Sequence, residues 1–402
     1  MGSIITLGVD RLEIDWGKNS FFRNHSRLFL PDDKGMAPYH YVDDDYEEPI
    51  VEEKAAFVRP LFKVVRRLDL LGYSLSECRR KYDELLAEMP DYYSQPMVDY
   101  DTFSKAVATA DPGLVRLRDS GEDCDPGEYV VENILLDSEF TKTSTAFAQM
   151  RRDAGEFFEN LDPYITLRLL ASNPANLDRL LIWRFADVVE GGWVKEDDVY
   201  QDIATSDKYL IVTEGSSDAF ILKKSLPCVA PDVADFFDFV DMTENYPFTG
   251  TGNLVKFCQG LAKIKIQNRI LVVLDNDTAG RSALAQISQL SLPSTMKLMS
   301  LPRLTEFESI CTLGPAGGQR EDVNGRAVAI ESFLDLGFQR EAEPEIRWTS
   351  FDKRMNEYQG ELVGKELYVK KFKESIGRSN GYNLGKLEYL WAKILETCGC
   401  DV

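Results

Sequence analysis

The stretch from Tyr209 to Leu284 constrains the fold more than any other part of the chain. It holds two short apolar runs, Tyr209-Leu210-Ile211-Val212 and Ile270-Leu271-Val272-Val273-Leu274, and each ends in acidic residues. Neither run alternates with polar residues and both are rich in β-branched side chains, as a strand buried on both faces of a parallel sheet requires. The first leads through Glu214 and Gly215 to Asp218, and helical spacing follows from Asp218 to Leu226. The second leads through Asp275-Asn276-Asp277 to Thr278, with helical spacing as far as Leu290. The pattern is strand, loop, helix, twice over, with carboxylates at the carboxyl ends of the strands. In open parallel sheets that edge is where ligands bind.

The spacing of these acids limits the chemistry. Asp275 and Asp277 are two apart, so they share a face if the strand persists through them. Carboxylates held that close repel one another unless a cation lies between them. Mg²⁺, or Mn²⁺ in its place, is the natural occupant, because a hard cation prefers carboxylate, phosphate and water oxygens. Glu214 closes the other strand and is a candidate for a further ligand or for a general acid or base. Gly215 permits a close turn with no Cβ in the way. Asp218 is a candidate ligand as well, although a carboxylate also suits the first turn of a helix on its own account. An isolated Asp-x-Asp before Gly is common in turns. The two motifs together, about sixty residues apart, are far more specific.

An apolar strand ending in Glu-Gly, with an acid shortly after, and a later strand ending in Asp-x-Asp-x-x-Gly resemble the Toprim domain of primases, topoisomerases, recombination mediators and OLD-type nucleases. The intervening residues agree. Phe239-Val240-Asp241-Met242 reads as a short strand, Thr249 to Asn253 as a glycine loop, Leu254 to Ile264 as a helix, and Met296 to Leu301 as a fourth strand. Ala329 to Leu334 resembles the late acidic helix of OLD-type Toprim nucleases, which implies that Glu331 joins the metal site. The resemblance covers residues 205–337 and implies an α/β Toprim core, a parallel four-stranded sheet with flanking helices. It implies Glu214, Asp275 and Asp277 as catalytic residues, and Glu214, Asp218, Asp275, Asp277 and Glu331 as metal ligands. Arg281 and Lys256 are candidates for touching phosphate, although most exposed Lys and Arg do nothing specific.

A chain of 402 residues with 44% hydrophobic content has material for two or three cored domains. Residues 1–60 alternate like half-buried strands, most clearly from Ser3 to Trp16. From Glu53 to Leu71 apolar residues recur at helical spacing, and Ser74 opens a second helix over Ser76 to Met89 as a cap. Residues 61–204 read as mainly helical, including Phe140 to Asn160 and Asp162 to Phe185, with a Gly-, Pro- and Asp-rich linker from Asp111 to Glu128. Residues 338–402 read as a helical tail, with helices over Ser350 to Tyr358, Gly364 to Ile376 and Leu384 to Glu396. Arg66-Arg67, Arg79-Arg80-Lys81 and Lys370-Lys371-Phe372-Lys373 are local basic points.

The net charge of −21 opposes non-specific binding to a polyanion. Part of it is local, in the run of Asp32, Asp33, Asp43, Asp44, Asp45, Glu47, Glu48, Glu52 and Glu53, read as a solvated loop. A nucleic-acid substrate, DNA ahead of RNA, therefore needs local basic surface or a protein partner; a companion protein or a second copy of the chain is expected. Seven scattered Cys, of which only Cys398 and Cys400 are close, form no zinc pattern and point to reduced thiols. No run is long enough to span a bilayer, and residues 1–20 lack the features of a signal peptide, so a cytoplasmic location with no membrane contact is expected.

The order of segments is similar to bacterial proteins described as HEPN/Toprim-associated. HEPN ribonucleases place an Arg and a His a few residues apart on a helix, and the two His here, His25 and His40, read as ordinary loop residues. A metal-dependent nuclease serving anti-phage defence is thus the first expectation. A scaffold or regulatory subunit retaining the fold is the second. A primase or topoisomerase fits less well, for want of a zinc module, a basic template domain or a recognisable tyrosine domain.

Overall fold

The computed structural model describes residues 2–41, 49–89, 98–115, 126–135, 147–240, 250–314, 317–339, 342–379 and 381–401. They form two compact units, the first over Met1–Asp202 and the second over Ile203–Cys400.

The first unit is built on an antiparallel sheet of β1 (Ile4–Val9), β2 (Leu12–Lys18), β3 (Lys34–Tyr41), β4 (Ile50–Pro60) and β5 (Leu180–Arg184), in the order β2-β1-β5-β4-β3. The β5 strand enters between β1 and β4, with Thr6 and Ala56 both opposite Arg184. Two expectations are corrected here. The stretch from Glu53 to Pro60 is a strand, and the helix begins only at Val65 (Val65–Leu70). Apolar positions 56, 58 and 61 fit either period locally; pairing with a strand more than a hundred residues downstream decides the matter, and no local window contains it. Asp162 to Phe185 is likewise not one helix: the helix ends at Leu170, Asn173 ahead of Pro174 is extended, a 3-10 turn follows over Pro174–Asn176, and then β5.

Around this sheet lie α1 (Leu75–Glu88), α2 (Tyr100–Thr109), α3 (Phe147–Asn160) and α4 (Pro163–Leu170). Of the expected Phe140 to Asn160 helix, residues 140–146 lie outside the described residues, as do residues 116–125 of the expected linker. Tyr82, Phe103, Phe157 and Phe158 interlock the helices, with ring centroids 4.8 to 5.4 Å apart. Such aromatic pairs add to the burial of their own surface. Trp183 stacks on Phe57 from the sheet side. Ser74, Asp99 and Asp162 cap the starts of α1, α2 and α4; Asp99 Oδ1 accepts from Thr102 N–H at 2.7 Å. Asp99→Ala is expected to cost about 1 kcal/mol, a loss that urea unfolding would register as a lower midpoint.

Several charged residues differ from expectation. His25 lies outside helix and strand, as expected, but is no ordinary loop residue, being 3% exposed, with Nε2 3.0 Å from Asp15 and Nδ1 3.1 Å from the Tyr164 hydroxyl, whereas His40 stands on β3. Burial holds the His25 pKa below the usual histidine range. Arg67 is buried and donates to the Arg27 and Phe29 carbonyls, so it presents no basic face. Arg79 pairs with Asp101, and Arg80 with Glu77 and Glu84. In the acidic run Asp33 accepts from buried Arg59 at 2.8 Å, Glu52 and Glu53 stand on β4, and residues 43–48 lie outside the described residues.

The second unit contains the parallel sheet, β6 (Tyr209–Val212), β7 (Phe237–Phe239), β8 (Arg269–Leu274) and β10 (Met296–Ser300), in the order β10-β8-β6-β7. The expected strand Phe239 to Met242 thus ends at Phe239, and Asp241 and Met242 lie outside the described residues. Helices α5 (Ser216–Val229), α6 (Thr251–Lys263) and α7 (Thr278–Ile287) follow β6, β7 and the Asp-x-Asp loop. Val212, Ile270, Val272 and Leu274 pack with Leu254 and Cys258 of α6 and Ala283 and Ile287 of α7. In contact with the other face, Trp391 meets Phe237 at 5.3 Å and donates to Ser225 Oγ, and Tyr209 donates to the Cys398 carbonyl. These partners lie on or next to α9 (Gly385–Cys398), which follows α8 (Lys365–Ser375). A parallel sheet so covered needs the unbroken apolar strands seen in the sequence.

Downstream the expectation of an all-helical tail is corrected. A second sheet joins β11 (Ile310–Gly314), β12 (Gly317–Glu321), β14 (Glu345–Asp352) and β15 (Glu357–Leu362) in the order β12-β11-β14-β15. Residues 350–358 are a hairpin, not a helix. Asp352 Oδ1 caps its turn by accepting from Arg354 and Met355, and Asn356 takes φ 55°. A two-stranded piece pairs β9 (Asn276–Asp277) with β13 (Ala327–Val328).

Candidate functional site

The apolar strands β6 and β8 run side by side, Leu210 opposite Ile270 and Val212 opposite Val272, so their carboxyl ends deliver Glu214 and Asp275 to one edge. Glu214 Oε1 accepts from Asp275 N–H at 3.2 Å, which links the two motifs directly. Asp218 stands in the first turn of α5, where its Oδ2 accepts from Gly215 N–H at 3.0 Å and its Oδ1 from Ser217 Oγ at 3.2 Å. Its helix-capping role is therefore real. Asp277 caps α7 from the residue before it, Oδ1 accepting from Gly280 N–H at 2.7 Å. The β8 strand does not run through to Asp277: the ladder breaks at Asp275, and Asp277 pairs with Ala327 of β13. Glu331 lies in a single 3-10 turn, Ile330–Phe333, rather than a longer helix, and is 8% exposed.

Electrostatics tie these five acids together. Burial and the charge of Asp277 push Glu214 up to about 8. Burial and the charge of Glu331 push Asp218 up to about 7, with Lys365 opposing. Asp275 is raised well above the carboxylate range by burial, then by Asp218, Glu214, Asp277 and Glu331 in turn. Burial also raises Asp277, against the bonds from Gly280, Gln359 and Ala279. Repulsion of this kind is relieved by protonation or by a divalent cation.

Two features count on the other side. Among the described residues no three or more His, Cys, Asp or Glu stand arranged to hold a metal ion. Asp277 already uses both oxygens, one on Gly280 N–H and one on the Gln359 side-chain amide. Hard oxygen donors suit Mg²⁺ or Mn²⁺; for Glu214, Asp218, Asp275 and Glu331 to hold one, with Asp277 beside them, their carboxylates would have to converge further than they do in this structure.

Sequence reasoning missed the support that β15 gives the second motif. Gln359 binds Asp277 through its NH₂ and accepts from Ala279 N–H at 3.0 Å, while Thr278 Oγ1 donates to the Tyr358 carbonyl at 3.0 Å. Ser300 Oγ donates to the Asp275 carbonyl at 3.3 Å. Nothing local to Gln359 marks it, since its partner lies 82 residues away. Arg281, expected to meet phosphate, is held by Glu357 at 2.6 Å and by the Gly325 carbonyl.

The chain thus combines an antiparallel-sheet and helical first unit with an α/β second unit carrying acids at its parallel-strand ends. The model of the family described as HEPN/Toprim N-terminal domain 1 matches residues 1–207, more than half of the chain, and the protein belongs to that family. Membership points to a nuclease-associated or defence-type domain. No curated protein and no solved structure matches the chain. Among the described residues no helix is long and apolar enough to cross a membrane.

Proposed function

We propose that the second unit is a Toprim domain of OLD type and that the protein is a Mg²⁺- or Mn²⁺-dependent nuclease, acting on DNA ahead of RNA in bacterial defence against phage. One observation carries this reading: the parallel strands β6 and β8 bring Glu214 and Asp275 to one edge, Glu214 Oε1 accepting from Asp275 N–H at 3.2 Å, where burial and neighbouring carboxylates raise Asp275. A structural site gains nothing from such repulsion, whereas a divalent cation relieves it. When bound, the cation would polarise the scissile phosphate. Glu214, anchored by Asp275 N–H, is the group positioned to hold or release a proton at its carboxyl during phosphodiester cleavage. Gln359 fixes the orientation of Asp277, as hydrogen-bond partners of ligating carboxylates do.

A second reading, a scaffold or regulatory subunit of a defence complex, is favoured by the satisfied state of Asp277 and by the lack of a preassembled cage among the described residues. Incubation with single- and double-stranded DNA and RNA, with Mg²⁺ or Mn²⁺, separates the two. Cleavage that requires the cation and vanishes in the Asp275→Ala/Asp277→Ala variant is the expected result. Absence of both cleavage and calorimetric Mn²⁺ binding in the folded wild type favours the scaffold.

A further inference from the structure

One stretch of the second unit reverses the charge of the chain. From Gly250 to Thr305 there are seven Lys and Arg but only two acids, Asp275 and Asp277 themselves, in a chain of 67 acids against 46 bases. Four of the seven are engaged. Arg281 is held by Glu357 and Arg303 by Asp322, Lys297 donates to the Thr397 carbonyl, and Arg269 lies over the Tyr209 ring. Lys256, Lys263 and Lys265 are exposed, and among the described residues no carboxylate stands within ion-pair distance of any of them.

Lys256 and Lys263 lie two turns apart on α6, so they share its outer face about 10 Å from each other. Leu254, Val255, Cys258 and Leu261 bury the inner face in the core of the sheet. Lys265 follows at the helix end, where Ile266 N–H and Lys265 N–H close a Schellman motif on the Leu261 and Ala262 carbonyls. Its φ is 51°, and this is the usual place of Gly. A helix end favours cations on its own account. That reason does not cover a lysine in a backbone conformation unfavourable to it, nor Lys256 two turns earlier. Beyond the helix end lies a groove of about 820 Å³, lined among others by Lys263, Lys265, Gln259, Gln267, Ser291 and Ser294, and among the described residues by no carboxylate. Because α6 joins the parallel strands β7 and β8, it runs opposite to them. Its start stands at the edge that carries Glu214 and Asp275, and its end, with the groove, at the other edge.

Cations in a row, flanked by amide and hydroxyl donors and free of competing acids, suit the phosphates of a nucleic-acid backbone. We infer that the outer face of α6 and the groove at its end hold such a backbone, Lys256, Lys263 and Lys265 supplying the charge, and that the strand runs along α6 toward the acids. The path to the acids rests on the nuclease reading; the binding itself needs no divalent cation.

The test is fluorescence anisotropy of the full chain with labelled single-stranded DNA, duplex DNA and RNA, in EDTA, over a range of KCl concentrations. Saturable, salt-sensitive binding is expected, and the tightest of the three identifies the substrate. At about 0.1 M salt each lost phosphate contact should weaken binding close to tenfold and reduce the salt slope by about 0.7 to 0.9. Lys256→Ala/Lys263→Ala/Lys265→Gly should therefore lose about a hundredfold or more in affinity. Lys265→Gly alone should resist urea better than wild type and yet bind more weakly, a combination that a purely structural lysine would not give. Lys370→Ala, which removes a surface lysine paired with Glu374, should leave affinity unchanged. No saturable binding by the wild type, or an unchanged affinity and salt slope in the triple variant, overturns the inference. Self-association of the wild type that the triple variant loses, without nucleic-acid binding, assigns the face to an acidic surface of a second copy and overturns it as well. Lysine-dependent binding without cleavage in Mg²⁺ leaves the surface standing and removes the nuclease reading with its path to the acids. Cleavage that the triple variant retains in full does the reverse.

Discussion

Asp275→Asn is expected to make the metal-free protein harder to unfold while abolishing its response to Mn²⁺. In the folded protein Glu214 is pushed up to about 8, Asp218 to about 7, and Asp275 and Asp277 are raised as well. In the unfolded chain such groups titrate near 4. Between about pH 4 and pH 8 the folded state therefore binds more protons than the unfolded state, and the stability contributed by these groups is lost as pH rises. A tenfold difference in proton affinity between the two states corresponds to about 1.4 kcal/mol, and the groups titrate together, so the combined loss is of the order of a few kcal/mol. Asparagine removes the most crowded charge at nearly constant shape. Urea unfolding in EDTA at pH 8 should show a gain of about 2 kcal/mol over wild type, with a shallower decline from pH 5. Mn²⁺ should flatten the same decline in wild type and leave the variant unmoved. An unchanged pH slope in the variant would sink the idea that these acids repel one another.

Gly280→Ala should be destructive, against the usual rule for helices. Gly280 lies in the first turn of α7, and in an ordinary helix the change to Ala stabilises by about 1 kcal/mol. Here a Cβ would sit 2.1 Å from the Asp275 carbonyl oxygen and 2.9 Å from its carbon. Both are backbone atoms, so relief requires moving Asp275 or the helix that Asp277 caps. A net loss of about 2 kcal/mol is expected, together with loss of Mn²⁺ binding and cleavage. Gly260→Ala is the control: it lies within α6, and nothing stands within 4 Å of its Cβ. That variant should be neutral or more stable in the same unfolding experiment. Equal behaviour of the two variants would refute the argument from close approach.

The parallel sheet was legible because its strands are buried on both faces and so are written as unbroken apolar runs, Tyr209 to Val212 and Ile270 to Leu274. Glu214, Asp218, Asp275 and Asp277 were visible because each follows such a run at a loop or helix start. Glu331 rested on resemblance, and the structure puts it in one short turn. What escaped notice depends on distant partners. Ser350 to Tyr358 carries mixed polar and aromatic residues that suit a helix or an exposed hairpin, and only pairing such as Phe351 with Tyr358 decides for the hairpin. Gln359 was invisible for the same reason. The basic points misled because charge alone does not reveal burial: Arg67 is wholly enclosed, its guanidinium bonded to carbonyls of the Arg27 to Phe29 segment.

The position of β5 at the middle of the first sheet has a consequence for how the chain folds. β1 and β4 touch it from opposite sides. During synthesis the hairpins β1–β2 and β3–β4 can each form early, yet each is left with an open hydrogen-bonding edge until residues 180–184 emerge from the ribosome. Closing the sheet over so long a separation is intrinsically slow, and open edges invite pairing with other chains. Residues 1–60 on their own would be two hairpins in search of a shared neighbour, prone to associate with each other's copies and unable to fold until the rest of the first unit had been made.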